Sequence, residues 1–114
     1  MSIVASENAV TACSVDDLIA NSGVAVKIGE QQFALFYLPE ESPSLYALAN
    51  YDPIGGANVM SRGIVGDLKG ELVVASPLYK QHFSLTTGAC VEDETAVLDT
   101  FRAEIVNGQV VIWL

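Results

Sequence analysis

Residues 71–88 read ELVVASPLYKQHFSLTTG, and this stretch decides the fold class. Residues 71–75, apolar after the initial glutamate, predict a strand that ends before Pro77, because proline lacks the backbone donor that a sheet ladder requires. Residues 83–85 predict a second short strand, which turns at residues 87–88 where threonine meets glycine. Short strands separated by polar turns are typical of a small β domain.

The rest of the chain repeats this pattern of short apolar stretches between Gly, Pro, Asn and Asp. The clearest local signal is Asn107-Gly108, a pair that tolerates positive φ at both positions and so predicts a type I′ hairpin. Its strands are residues 102–106 and 109–113. Further strands are predicted at residues 10–13, 24–28, 33–38 and 45–49, the first of them at a sheet edge. Residues 50–70 are predicted as a long Gly-rich excursion.

One helical turn is predicted near residues 14–20. Ser14 resembles a helix N-cap and Asp17 supplies an acid at the third helical position, so the turn begins there and closes before Gly23. We therefore predict a single all-β domain over residues 1–114, a small antiparallel sandwich or barrel with that one helical turn.

The charge balance excludes two classes of partner. Five Lys and Arg residues against fourteen Asp and Glu residues give a formal net charge of −9. Such a field repels phosphate backbones and anionic lipids, so we predict no nucleic-acid partner and no membrane partner. The N-terminal residues lack the basic and apolar regions of a signal peptide, and no apolar stretch approaches the ~20 residues of a membrane span. The expected location is the cytoplasm.

The residues that usually carry chemistry do not form a recognisable active site. His82 is the one histidine, and no Gly-x-Ser-x-Gly elbow surrounds Ser76. Cys13 and Cys90 lack metal-ligand spacing and are expected to be free thiols, although the sequence leaves a disulfide between them open. The acidic cluster at residues 92–94 is interpreted as a solvated loop.

Two segments resemble the Rieske iron–sulfur domain. Residues 47–57 read ALANYDPIGGA where Rieske proteins carry Cys-Pro-His-x-Gly-Ala, and residues 76–88 align with Cys-Pro-x-His-Gly-x-x-Phe-Asp followed by Thr-Gly. The residues in register are Pro53, Gly56, Ala57, Pro77, Phe83, Thr87 and Gly88. The resemblance implies a Rieske-like β fold.

The four ligand positions of that resemblance hold other residues. The cysteine positions are Asp52 and Ser76, and the histidine positions are Ile54 and Tyr79. A Rieske [2Fe–2S] centre needs two thiolates on one iron and two imidazoles on the other. The resemblance therefore predicts no bound iron and no cofactor in this chain.

The chain is also similar to the small subunits of cytoplasmic NAD(P)H-dependent nitrite reductases. The motifs that carry this likeness are NYDP at residues 50–53, SRG at residues 61–63 and ELVVASPLYKQ at residues 71–81, followed by GACVEDE at residues 88–94. This resemblance implies a partner, the large subunit, which carries FAD, an iron–sulfur cluster and siroheme and reduces nitrite to ammonium in nitrate assimilation. The small subunit accompanies it.

In a Rieske domain the two ligand loops form an exposed tip, and we predict that this tip docks on the large subunit. Without metal, Asp52 and Ser76 can bond local backbone amides, while Ile54 and Tyr79 can pack. The candidate contact residues are Asp52, Ile54, Ser76, Tyr79, Arg62, Lys80 and His82. Three alternatives stay open: these residues only close the domain's own core, the chain is a cluster-less interaction module of another oxidoreductase, or it transfers electrons itself. The missing ligands speak against the last.

Overall fold

The computed structural model describes residues 9–114, and strands dominate this part of the chain. The strands are β1 (Ala9–Ser14), β2 (Ser22–Ile28), β3 (Gln31–Tyr37), β4 (Leu45–Ala49), β5 (Tyr51–Asp52), β6 (Ala57–Asn58), β7 (Ile64–Leu68), β8 (Glu71–Ala75), β9 (His82–Ser84), β10 (Thr100–Val106) and β11 (Gln109–Trp113). Two single-turn 3-10 helices are η1 (Val15–Asp17) and η2 (Met60–Arg62). The predicted all-β class is confirmed, and none of the helices within residues 9–114 has the length and apolarity to cross a bilayer.

The larger sheet has six antiparallel strands in the order β1-β11-β10-β4-β3-β2. Its edge strands β1 and β2 contact each other, so the sheet curls towards a barrel. β1 is the predicted edge strand. The hairpin of β10 and β11 turns at Asn107 and Gly108, with φ of 51° and 78°, which confirms the type I′ turn.

β3 is the strand about which the core is built. It lies between β2 and β4, and its side chains are buried on both faces of the sheet. Phe33 and Leu35 pack inside the curled sheet, whereas Ala34 and Phe36 pack on the opposite face. This explains why the sequence shows an uninterrupted apolar run here instead of an alternation.

A second, three-stranded sheet in the order β7-β8-β9 covers that opposite face. Val74 of β8 and Phe83 of β9 are fully buried in one cluster with Phe36 and Leu48 of the six-stranded sheet. The molecule therefore has two apolar layers, one within the curled sheet and one between the two sheets. β5 and β6, which follow β4 in the sequence, form a separate two-stranded antiparallel ribbon.

The predicted helical turn is confirmed as η1. Ser14 Oγ accepts a hydrogen bond from the Asp16 amide at 3.1 Å, and Asp17 Oδ2 accepts one from the Ser14 amide at 3.1 Å. This reciprocal cap satisfies amides that a helix start would leave unpaired.

Residues 50–70, predicted as a long Gly-rich excursion, contain more regular structure than that prediction gave them. They contain β5, β6, η2 and β7. The sequence of β7, IVGDL, holds glycine and aspartate, which disfavour strands, and its conformation comes from antiparallel pairing with all five residues of β8. The short strand expected at residues 83–85 lies one residue earlier, at β9.

Candidate functional site

The two loops that resemble Rieske ligand loops lie side by side, and we call them together the tip: residues 52–57 and residues 76–81. The first loop is organised by Asp52, whose side chain is inaccessible to solvent. Asp52 Oδ1 accepts hydrogen bonds from the amides of Ile54 at 2.8 Å and Gly55 at 2.9 Å. This is an Asx-type turn, in which a short carboxylate replaces a backbone acceptor.

Ser76 joins the second loop to the first. It is also fully buried, its hydroxyl donates to Asp52 Oδ2, and its Oγ accepts a hydrogen bond from the Leu78 amide at 3.3 Å. The predicted bonds to local amides are therefore confirmed. The direct bond between Asp52 and Ser76, which ties the loops together, was not predicted.

Gly55 allows the loops to touch. A Cβ at this position would lie 2.3 Å from Leu78 Cδ1 and 3.1 Å from Asp52 Oδ2, so any side chain here would force the Leu78 side chain to move. The glycine lets the Leu78 side chain lie directly against the first loop.

Ile54 and Tyr79, at the two former histidine positions, have different environments. Ile54 is half-buried and packs against the cluster between the sheets, as predicted. Tyr79 is 64% exposed, so the expectation that it packs is wrong. Leu78 beside it is 41% exposed. The tip thus presents an aliphatic and an aromatic side chain to solvent on a rigid base.

The three basic candidates occupy different positions. Lys80 lies in the second loop, exposed and with a left-handed φ of 66°. His82 begins β9 beside Ala75 of β8, directly after the loop. Arg62 ends η2, is exposed, and forms no salt bridge with any residue of the described chain. Lys80 is therefore part of the second loop and His82 directly follows it, whereas Arg62 lies in a different element, η2.

Glu92 is a site residue that the sequence did not reveal, because residues 92–94 look like a solvated loop. Its Oε2 lies 2.6 Å from His82 Nδ1, and its Oε1 accepts the His82 amide at 2.8 Å. Partial burial works to raise the pKa of the Glu92 carboxyl, but the hydrogen bonds and charge of His82 outweigh it and leave that pKa below its ordinary value. No sequence spacing signals this pair, which depends on the bridge between Phe83 and Cys90.

The two thiols of the chain are poorly suited to nucleophilic chemistry. Cys90 is 5% exposed and its Sγ donates to Glu92 Oε1 at 3.7 Å. Burial raises the pKa of the Cys90 thiol, and burial together with the charge of Asp17 raises that of Cys13. A protonated thiol is neither a good nucleophile nor a metal ligand. Both cysteines are free, as expected.

Asn50 is a second missed residue, and it holds the strand that leads into the tip. It is 1% exposed, its Oδ1 accepts the Ser61 amide at 2.8 Å, and its Nδ2 donates to Gln32 Oε1 at 3.0 Å. The side chain therefore links β3, the start of the first loop and η2. The available signals were a polar residue directly after an apolar strand and its place at the start of the NYDP motif.

A family profile described as a Rieske-like [2Fe-2S] domain matches residues 8–113, nearly the whole chain. The chain belongs to this Rieske-like family. It is homologous to the nitrite reductase (NADH) small subunit of Escherichia coli K12, with 40% identity over 98 residues that cover 86% of this chain and 90% of that protein. The crystal structure of a protein assigned as a nitrite reductase NADPH small subunit superposes with a TM-score of 0.86 at 50% identity, covering 93% and 98% of the two chains.

A third relative is larger. The nitrite reductase [NAD(P)H] large subunit of Klebsiella oxytoca contains a stretch 37% identical to this Rieske-like chain, which covers 86% of it but 10% of the Klebsiella protein. In that relative the Rieske-like domain is part of the same polypeptide as the rest of a large subunit.

The donor set of this Rieske-like domain does not fit the cluster for which the family is named. A Rieske centre takes two thiolates and two imidazoles, and the tip offers a carboxylate, a hydroxyl, an alkyl group and a phenol. Asp52 and Ser76 are already engaged by each other and by loop amides. Among residues 9–114, no three His, Cys, Asp or Glu side chains converge as metal ligands.

Proposed function

We propose that this chain is the small accessory subunit of a cytoplasmic NAD(P)H-dependent nitrite reductase, and that it docks on a large subunit carrying FAD, an iron–sulfur cluster and siroheme. The complex reduces nitrite to ammonium in nitrate assimilation. The homology to nitrite reductase small subunits over nine-tenths of their length supports the assignment. The Klebsiella large subunit, which includes a homologous stretch in its own chain, supports a partner of that kind.

We further propose that the chain has no redox centre. The single observation that carries this second proposal is the bond between Asp52 and Ser76. A hydrogen bond between two side chains of the same chain occupies the space between the loops where Rieske proteins hold iron. Buried polar groups that satisfy each other need no ion between them. Ile54, at one imidazole position, has no lone pair to offer and is packed against the core.

The docking surface is the exposed part of the tip. Leu78 and Tyr79 are solvent-exposed while the residues beneath them are locked by hydrogen bonds. A rigid aromatic side chain on a rigid loop loses little entropy on binding, which is why such residues are frequent at binding hot spots. Lys80 adds a positive charge to the surface of an acidic protein. Ile54 is half-buried and packs against the core, so we leave it out of the docking surface.

Co-purification tests the partner. A tagged copy of the chain is expected to retain the large flavin–siroheme subunit from cells grown on nitrite. Tyr79→Asp should fold normally and weaken retention at least about tenfold, as expected for a hot-spot residue. Val106→Asp is the matched control, since Val106 is also exposed but lies on the six-stranded sheet at the end of β10. Equal retention of both variants would contradict docking through the tip, and capture of a different oxidoreductase would favour the alternative module.

Elemental and optical analysis tests the missing centre. The purified chain is expected to contain neither iron nor acid-labile sulfide and to lack visible absorption and a Rieske-type paramagnetic signal. Reconstitution with ferrous iron and sulfide should leave it colourless. Stoichiometric iron would contradict the proposal.

A further inference from the structure

β7 is an edge strand with one unpaired side. It pairs with β8 through Ile64–Leu68, and within residues 9–114 no strand pairs with its other side. The hairpin turns at Lys69 and Gly70, both with positive φ, as in a two-residue type I′ turn. The pair that flanks such a turn is hydrogen-bonded and the pairs alternate along the ladder, so the N–H and C=O groups of Val65 and Asp67 point away from β8.

A groove runs along this free edge. It has a volume of about 270 Å³, and its lining includes residues of β7 and β8 on one side and of the segment after β3 on the other. Leu38, Val65 and Leu72 supply apolar surface. The polar lining contains three carboxylates and no basic residue; the lining residues are Asn21, Leu38, Glu40, Glu41, Val65, Gly66, Asp67 and Leu72.

The strand carries one charged residue, Asp67, and neither of the residues that most often protect a free edge, lysine and proline. A Cβ at Gly66 would meet no atom within 4 Å, so an incoming backbone has room to approach. Ile64 is 74% exposed and Leu68 is 38% exposed. An exposed edge with apolar side chains is the usual receptor of an extended segment in strand addition.

The charges select the occupant. Glu40, Glu41 and Asp67 favour a segment that carries lysine or arginine, and they disfavour a second copy of a chain whose net charge is −9. β7 also begins close to the tip, because Ile64 at its start pairs with Ala75, the residue before Ser76. A partner docked on the tip can therefore reach the edge of β7.

We propose that the free edge of β7 binds an extended, Lys- or Arg-bearing segment of the large subunit as a fourth strand of the β7-β8-β9 sheet. This inference rests on the proposed function for its partner. The backbone groups of Val65 and Asp67 form the new ladder, Leu38, Val65 and Leu72 contact apolar side chains of the segment, and the three carboxylates pair with its basic residues.

Amide hydrogen exchange on the chain alone and on the purified complex tests the inference. Complex formation should slow exchange at Val65 and Asp67 at least about tenfold, because these amides gain partners, whereas Gly66 and Leu68 already bond to β8. A complex that protects the tip but leaves Val65 and Asp67 unchanged would overturn strand addition and leave the proposed function intact. Failure to form any complex would overturn both. Protection of β7 in a dimer of the isolated chain would contradict the large subunit as occupant.

Proline substitution isolates the backbone contribution. Asp67→Ala removes the carboxylate and its bond to the Gly70 amide but keeps the outward N–H, while Asp67→Pro removes that N–H as well. We expect Asp67→Pro to bind the large subunit at least about fivefold more weakly than Asp67→Ala, the loss of about one hydrogen bond. Lys27→Pro is the matched control, because Lys27 holds the equivalent position in edge strand β2. Lys27 and Asp67 each lie two residues before a two-residue hairpin turn. Equal binding by both Asp67 variants would overturn the proposal.

Discussion

The Ser76 hydroxyl donates a hydrogen bond to Asp52 across 24 positions of sequence, and this bond joins the two loops of the tip. The two oxygens of the Asp52 carboxylate accept hydrogen bonds from different loops. Oδ1 accepts two amides of the first loop, and Oδ2 accepts the hydroxyl of the second. The tip is thus held by a small buried polar network in which every named acceptor is used. Such a network rigidifies a site when it is complete and destabilises it when one member is removed.

Removal of Asp52 should therefore be costly. Asp52→Ala leaves the Ser76 hydroxyl and two loop amides without an acceptor, and we expect a loss of about 2–4 kcal/mol in the free energy of unfolding. Ser76→Ala should lose about 1–2 kcal/mol. Asp52→Asn is the matched control, since its amide keeps the shape and can still bond Ser76, and it should lose less than Asp52→Ala. Urea titration of the three variants and of the Asp52→Ala, Ser76→Ala pair measures the coupling, and strict additivity would contradict a direct bond.

Asn50, which precedes the tip in the sequence, should contribute about as much to the free energy of unfolding as the tip residues do. Asn50→Ala leaves the Ser61 amide and Gln32 Oε1 unpaired in a buried place, and we expect a loss of about 2–3 kcal/mol. Asn50→Asp keeps the acceptor for Ser61 and should be less destabilised if the Gln32 amide reorients to donate. Chemical denaturation of both variants measures the difference. If Asn50→Ala unfolds at the same urea concentration as the unchanged protein, the proposed link between β3 and η2 is wrong.

Gly88 and Gly108 provide a matched pair for backbone strain. Both have φ near +80°, but a Cβ at Gly88 would lie 2.0 Å from the backbone oxygen of Leu98, whereas a Cβ at Gly108 would meet nothing within 4 Å. Gly108→Ala should lose about 1–2 kcal/mol, the cost of a left-handed conformation. Gly88→Ala adds a clash with rigid backbone and should lose more than about 3 kcal/mol or fail to fold. Thermal melting compares them, and similar melting temperatures would contradict the packing around Leu98.

The elements that the sequence predicts correctly are those whose backbone conformation is determined by a few neighbouring residues. Asn107-Gly108 encodes its own turn, and Ser14 with Asp17 encodes its own cap. β7 was missed because its sequence disfavours a strand and its conformation comes from pairing with β8. The same limit applies at the site.

At the tip, the sequence identified Asp52 and Ser76 as changed ligand positions but did not reveal that they bond to each other. A hydrogen bond between residues 24 positions apart depends on how two loops meet, and no local pattern encodes that. Glu92 was missed for the same reason, since it lies in a loop and its partner His82 is 10 positions away on β9. Tyr79 was expected to pack because a tip without metal must be held by other contacts, yet its side chain is exposed.

The bond between Glu92 and His82 predicts a pH-dependent stability. The pKa of Glu92 in the folded chain lies below its ordinary value of 4.5, so between these two pKa values the unfolded chain binds more protons than the folded one. The stabilisation is therefore fully present above pH 4.5 and is lost as the pH falls through the lowered folded pKa. Glu92→Gln should melt below the unchanged protein at pH 7, and the gap should close in acid.

Glu94→Gln is the control for this prediction, because Glu94 lies in the same acidic loop, is exposed, and has the same charge change. Melting temperatures of the unchanged protein and both variants, measured from pH 7 down to pH 3, separate the two possibilities. If the pair with His82 is responsible, the gap between Glu92→Gln and the unchanged protein narrows below pH 4.5 while Glu94→Gln follows the unchanged protein throughout. A gap that is constant over this range would mean that Glu92 stabilises the loop by packing and not by its charge.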